Sequence, residues 1–415
     1  MTTHRPQRES LLSLTIAAAA RDGLDGISLR AIAADAGVST TAIFQNYRGK
    51  AELIADAARV AAARDDALHR TLREEAAGVV RGYLGFADFI ATHVELRAGS
   101  DHARFLTDLL VTAQDHPLCL GTLRAWQDGR FAFWADLVVQ QGLPPAMGPI
   151  VADYVLMEEF YAHALIDQFQ YRLLLRETSR ALCAASFPDG HCTAGASGIT
   201  ALLGVTPLSV RGPSLGEGHA AAGQLLEAAV QIINRSGVSG INQRAIARAV
   251  GVSGSMITYH FGDMKNFVTQ AIWRALVQDI PVQLDPDQDG AQQPGNLGEW
   301  LAILDGLLQP AGPGRDAGFY ASFSRLTGEA CLMARRSPAL LPLLRYLRGL
   351  EGWGTYRVSR SIAALAPRIA RDQAAAFGIW IKAEAILRSA GLADSGHGRA
   401  RLERAADLIF ANDRG

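Results

Sequence analysis

The segment LLSLTIAAAARDGLDGISLRAIAADAGVST, which begins at Leu11, returns as LLEAAVQIINRSGVSGINQRAIARAVGVSG at Leu225. The offset is 214 residues and no gap is needed. Across Ser10–Leu53 against Gln224–Phe267, fourteen of forty-four positions are identical. A repeat of this period is a duplicated domain, not a solenoid of short units. It divides the 415-residue chain into halves of about 200 residues, an ordinary size for a domain. The repeat also removes a first impression. Arg5 and Arg8 precede the apolar stretch Leu11–Ala20 in the manner of a signal peptide. The same pattern in mid-chain has no such role, so Leu11–Ala20 is expected to be the first helix of the repeated unit.

The halves are joined by Pro188–Gly218, in which thirteen of thirty-one residues are Gly, Pro or Ser, the composition of a linker. Fully extended it spans roughly 100 Å and does not fix how the halves sit. A short apolar stretch within it, Ile199–Val205, is expected to dock on one half. The expected division is 1–58 and 59–187 for the first copy, 188–222 for the linker, and 223–276 and 277–415 for the second copy. Composition sets the class: 49% hydrophobic and 20% charged residues make a globular chain. Net charge −1 excludes a polybasic nucleic-acid coat protein, leaving room for a small local basic surface. No run of eighteen apolar residues suggests a membrane span. Four cysteines (Cys119, Cys183, Cys192, Cys331), none spaced as CxxC, exclude a disulfide scaffold and point to a reducing, cytoplasmic setting.

Within each copy the helices follow from spacing. Leu12, Ile16 and Ala19 make one apolar stripe, as do Leu226, Val230 and Ile233. Gly23 and Gly237 end these helices. Ser28 and Asn242 cap a second helix, which ends at Gly37 and Gly251. Val38–Ser39 and Val252–Ser253 follow, the serines expected to cap a third helix over Thr40–Tyr47 and Gly254–Phe261. Two short helices joined by a glycine-containing turn are the helix-turn-helix signature, whose second helix enters the DNA major groove.

IAADAGVSTTAIFQNYRGKAEL and IARAVGVSGSMITYHFGDMKNF resemble the DNA-binding segment of TetR-type transcriptional regulators. The family pattern is roughly I-A-x-x-A-G-V-S-x-x-x-(I/L)-Y-x-H-F-x-x-K-x-x-L. The first copy departs from it at Phe44 for Tyr, Asn46 for His and Tyr47 for Phe, and keeps Lys50. The second has Thr258 for Tyr, keeps His260 and Phe261, and places Met264 at the lysine position with Lys265 next. Tyr259 or Lys265 is then left to supply a phosphate contact. The two recognition helices, TTAIFQN and GSMITYH, are not expected to read the same bases.

The resemblance places the start of each recognition helix in the groove: Thr40, Thr41 and Gln45 in one copy, Gly254, Ser255 and Tyr259 in the other, with Thr258 beside them. Gln can pair bidentately with adenine, and Thr can meet an acceptor or the thymine methyl. Arg30, Ser39, Asn46, Lys50, Arg244, Ser253, His260 and Lys265 suit phosphate positioning, which sets register without reading sequence. Against this stand plainer roles. Ser39 and Ser253 serve as caps, and Phe44, Tyr47 and Phe261 read first as core although the first two stand in the contact set. Residues 1–60 hold seven basic and six acidic residues, and residues 224–276 five and two. That basic footprint is faint for a DNA-binding module, so a shallow salt dependence is expected.

The rest of each half reads as helices: Tyr83–Arg97, Asp101–Gln114, Leu118–Gln141, Ile150–Gln170 and Tyr171–Phe187, then Leu297–Gln309, Gly318–Arg335, Ala339–Arg348, Ile369–Ala390 and Arg399–Ala411. Pro117, Pro149, Pro338 and Pro367 mark helix starts. The fold class is therefore all-α, two tandem units of a three-helix head and a helical body. The family's four-helix dimer interface would form here within one chain, Ile150–Phe187 against Ile369–Ala411, as an intramolecular pseudo-dimer freed from strict twofold identity. Further homodimerisation stays open. Aromatics gather in these bodies, mostly as core, and one half is expected to keep a pocket for a small apolar or aromatic effector. Trp126, Trp134, Tyr161, His163 and Trp353 are the candidate contacts.

No enzyme is indicated, because GxxxxGK(S/T), HExxH and GxSxG are absent. Glu159 and His163, at i and i+4, read as a core pair and not as metal ligands, and no cofactor is expected. The resulting reading is a regulator, a repressor as is usual in the family, with asymmetric double-stranded operator DNA as its partner. The rival is a ligand- or protein-binding helical module whose heads have decayed, motivated by the weak basicity and by Met264.

Overall fold

A glycine with positive φ closes the first helix of each head, and capped short helices follow, so both copies start alike. The computed structural model describes residues 4–188, 190, 220–277, 294–312, 316–362, 369–393 and 398–410. The first copy comprises α1 (His4–Asp22), α2 (Leu29–Asp35), α3 (Thr40–Asn46), α4 (Lys50–Ala76), α5 (Gly82–Ala98), α6 (Asp101–Val111), α7 (Leu120–Gln140), α8 (Met147–Leu165) and α9 (Phe169–Ala184). The second comprises α10 (Ala220–Ser236), α11 (Gln243–Val250), α12 (Ser255–Phe261), α13 (Met264–Val277), α14 (Leu297–Leu307), α15 (Phe319–Met333), α16 (Leu341–Leu350), α17 (Trp353–Ser361), α18 (Arg371–Ser389) and α19 (Gly398–Phe410). Among the described residues there is no β-strand. The chain is all-α, with two tandem units.

Several boundaries differ from expectation. The helix α4 runs unbroken through residues 58 and 59, so head and body share one helix. α8 starts at Met147 and takes Pro149 into its first turn, where a missing N–H costs nothing. α17 was not expected at all. Its flanking glycines read as breakers, and Gly352, at φ +67°, does end α16 and permit a new start. The Ile199–Val205 segment, Pro367 and Cys192 lie outside the described residues.

The halves meet through α8 and α9 on one side and α18 and α19 on the other. α8 and α18 are buried on nearly every face, their charged residues included. Gly328 lets α15 approach the first copy closely, since a Cβ there would sit 3.0 Å from Val111 and 3.2 Å from Phe160. Charges are carried into this interface in pairs. Arg348 donates to Glu158 at 2.6 Å and to Thr178 at 2.9 Å, and Arg401 pairs with Asp153 and with Glu384, the latter at 3.0 Å. Removing one partner of such a buried pair strands the other's charge. The four-helix pseudo-dimer is thus built inside a single chain.

Candidate nucleic-acid interface

The first head is a small core with one face left outside. Leu12, Ile16 and Ala19 of α1 are buried with Ile32 of α2 and Ile43 of α3. Ser28 Oγ accepts the Ala31 N–H at 3.3 Å, and Gly37 turns the chain at φ +65°. Ser39 Oγ then accepts the Ala42 N–H at 3.1 Å, the expected cap of α3. Ile43 and Tyr47 point inward; Thr41, Gln45 and Asn46 are exposed and Thr40 is half-buried. Asn46 Nδ2 donates to the Ala42 carbonyl at 2.9 Å, which holds its side chain along the helix. Arg30 is exposed at the start of α2. Lys50 Nζ donates to the Asp25 carbonyl at 3.3 Å, and burial lowers its pKa. Of the two aromatics of this helix read first as core, one departs from that reading and one keeps to it. Phe44 is 56% exposed and not core, whereas Tyr47 is buried and cannot line a groove with its ring. The i, i+4 direction decides this: Tyr47 falls on the Ile43 face, and Phe44 falls one position round from it.

The second head repeats the plan with different chemistry. Leu226, Val230 and Ile233 are buried, Asn242 Oδ1 accepts the Ala245 N–H at 2.8 Å, and Gly251 turns at φ +76°. The recognition helix α12 begins one residue later than expected, with Gly254 as its N-cap residue and no side-chain cap. Ser253 therefore does not cap it. Its Oγ pairs with Ser255 Oγ at 2.5 Å, an alternative open to Ser because local side-chain bonds compete with capping. Gln243 Nε2 instead donates to the Gly254 carbonyl at 2.8 Å and ties the turn to α11. Ile257 and Phe261 point inward, as expected for Phe261. Ser255, Thr258 and Tyr259 face solvent, Tyr259 at 78% exposure, with Arg244 and Lys265 also exposed. His260 is half-buried and meets Tyr259 edge-on at 5.0 Å.

Each head is fastened to its body by a buried carboxylate. Asp108 on α6 accepts the Leu24 N–H at 2.8 Å, and Glu329 on α15 accepts the Val238 N–H at 2.7 Å. These amides follow Gly23 and Gly237. Burial pushes the Asp108 carboxyl up to about 6 and Glu329 up to about 7, against the pull of the backbone N–H and of Arg336 or Arg325. Arg325 donates to the Ile233 and Asn234 carbonyls at the end of α10, at 3.1 and 3.3 Å. Arg336 reaches across from the second copy to the Asp22 carbonyl at the end of α1. The sequence reading passed over these four side chains. Their signal was a carboxylate at the same place in both copies, 221 residues apart.

Comparison with protein families matches bacterial regulatory proteins of the tetR family at residues 11–57 and again at 225–271. The chain carries two TetR-type units in tandem. Both matches begin in the first helix of a head and run through the recognition helix into the next. Comparison with curated proteins finds no match. The TetR-type heads thus stand on a body whose own chemistry must be read from its residues. No described helix is long and apolar enough to cross a membrane.

Of the five candidate ligand contacts in the bodies, three belong to the first copy's closed core. Trp126 Nε1 donates to Asp65 at 2.6 Å, Trp134 is fully buried among Phe86, His93 and Phe133, and His163 shares 3.2 Å with Thr107 Oγ1. Burial lowers the His163 pKa to about 3. Glu159 has partners of its own, Arg97 at 2.6 Å and Arg130 at 3.0 Å; these outweigh burial and hold its carboxyl down at about 2. Of the other two, one lines a cavity of about 270 Å³ in the second copy and one lies behind it. Trp353 lines it beside Phe319, Phe323 and Tyr346. Tyr161, from the first copy, stands behind the lining, its hydroxyl donating to Glu351 and accepting from Lys382 at 3.0 Å.

Proposed function

We propose that the chain is a sequence-specific transcriptional regulator that reads an asymmetric operator through two non-identical heads and is tuned by a small apolar effector. The observation that carries the reading is the split of each recognition helix. Ile43 and Tyr47, or Ile257 and Phe261, pin it to the head, while Thr41 and Gln45, or Ser255 and Tyr259, stand free on the outer face. Thr40, Thr41, Phe44 and Gln45 read bases in one half-site; Gly254, Ser255, Thr258 and Tyr259 read the other. Arg30, Ser39, Asn46, Lys50, Arg244, Ser253, His260 and Lys265 position the phosphates. The functional division in this reading is 1–58 and 59–187, 188–222, 223–276 and 277–415, with the first boundary inside α4. Repression is the outcome that the family resemblance favours.

The effector site is the second-copy cavity, and its occupancy biases the spacing of the heads. Couplings of this kind are typically about 1–3 kcal/mol. The test is a footprint of the purified protein on DNA upstream of its own gene, read with a genome-wide pull-down. One protected asymmetric stretch of about two helical turns is expected. Protection of no site in either experiment would overturn the reading in favour of a binding module with decayed heads. That second reading draws on the uncapped α12 and on Met264 at the lysine position.

A further inference from the structure

We infer that the chain has one effector site rather than two, and that this site takes a flat, aromatic, uncharged molecule. The inference rests on the ligand-responsive reading above and gives it a stoichiometry and a ligand class. It comes from comparing the bodies position by position. Pro117 and Pro338, Leu120 and Leu341, and Leu123 and Leu344 all stand 221 residues apart. At that offset Trp126 corresponds to Leu347, Arg130 to Glu351 and Phe133 to Gly354. Leu347, Glu351 and Gly354 all line the second-copy cavity. Their first-copy counterparts are large side chains held in the core. Trp126 is bonded to Asp65, Arg130 is locked on Glu159, and Phe133 is stacked on His69 at 4.3 Å, all three 2% exposed or less. Arg97 closes the arrangement by pairing with both Glu159 and Asp65. The first copy is occupied by its own side chains.

The second copy is emptied by backbone as well as by side chain. Where the first copy has Phe131 in an unbroken α7, the second has Gly352 in the left-handed region. A Cβ there would lie 1.8 Å from the Ala374 carbonyl, so only glycine lets the chain rest on α18 and restart as α17. The restart begins at Trp353, which lines the cavity together with Phe319 and Phe323.

Charge sets the ligand class. Arg130 and Glu351, equivalent at that offset, carry opposite charges and each is paired, Arg130 with Glu159 on α8 and Glu351 with Lys382 on α18. Glu351 and Lys382 are the charged groups of the lining, and they close on each other at 2.5 Å, each about 4% exposed or less as a side chain. Tyr161 bonds both. The ammonium also sits 4.6 Å over the Phe323 ring. Two further cations, Arg357 and Arg371, lie on the Trp353 ring at 5.7 and 5.4 Å, Arg371 already donating to the Glu351 and Gly349 carbonyls, so a charged ligand would have to take one of these contacts apart or bear its desolvation alone. A neutral ring system meets aromatic walls and a satisfied polar floor. Because that floor includes Tyr161 of the first copy, a ligand in one copy is felt by the other.

The experiment titrates the intact chain by calorimetry and tryptophan fluorescence with 1-naphthol, 1-naphthoate and 1-naphthylmethylammonium, beside a footprint on the same preparation. Saturable binding of one 1-naphthol per chain is expected, with both ions at least about tenfold weaker. Gly354→Phe, which restores the first copy's residue, is expected to lose naphthol binding while keeping helicity and melting temperature. Two sites per chain, no saturable naphthol binding at millimolar concentration, ions bound equally well, or unchanged binding in folded Gly354→Phe would each overturn the inference. Should that variant not fold, stoichiometry and charge ranking of the unaltered chain decide. One naphthol per chain with no operator protection keeps the site and removes the regulator reading. Protection without such binding removes the site alone.

Discussion

Glu329→Gln is the perturbation whose effect can be worked furthest from the structure. Glu329 fastens the second head by accepting the Val238 N–H, and burial raises its pKa from 4.5 to about 7. A carboxyl raised on folding contributes stability fully below its unfolded pKa and loses it as pH rises through its folded pKa. The window here is therefore about pH 4.5 to 7. At about 1.36 kcal/mol per pKa unit, ionisation of Glu329 costs the folded state about 3 kcal/mol at pH 8 and under about 1 kcal/mol at pH 5. Glutamine keeps an oxygen to accept the same N–H and does not ionise. Urea unfolding of both chains at pH 5, 6, 7 and 8 cancels every other titrating group in the difference. The variant is expected to gain on the parent by about 2–3 kcal/mol between pH 5 and pH 8. A difference flat with pH, or one that favours the parent as pH rises, would refute the account of this latch.

Thr41→Ala with Gln45→Ala is expected to erase protection over one half-site and leave the other, as read by footprinting. Ser28→Ala and Asn242→Ala each remove a cap and are expected to cost about 1 kcal/mol in denaturant unfolding. Arg348→Ala strands Glu158 in the interface between copies and is expected to cost about 3–5 kcal/mol in the same assay. The logarithm of the operator affinity is expected to fall shallowly with the logarithm of salt, since the slope follows the number of phosphates neutralised and the heads carry few cations.

The heads were legible in the sequence because their signals are local. Gly23, Gly37, Gly237 and Gly251 all take positive φ, and Ser28, Ser39 and Asn242 all cap. Ser253 was misread because its neighbour is Gly254 and a nearer hydroxyl, Ser255, competes for it. Phe44 was misplaced because the seven residues of α3 are too few to fix a face by pattern alone. The bundle of α8 and α9 with α18 and α19 followed from the duplication, although nothing local in those helices announces a partner. Three of the ligand candidates lie in a closed core for a different reason. Trp126, Trp134 and His163 were chosen by residue type, and only tertiary packing shows that they close a core rather than line a space. The cavity itself depends on small residues, Gly352 and Gly354, which carry no side-chain signal of a site.

The central claim is that one chain does the work of a dimer. Native mass spectrometry of the purified protein bound to its footprinted operator tests it most directly. The expected complex holds one 44.4 kDa chain on one duplex. A complex that holds two chains on every occupied operator, with no single-chain species at any ratio of protein to DNA, would contradict it.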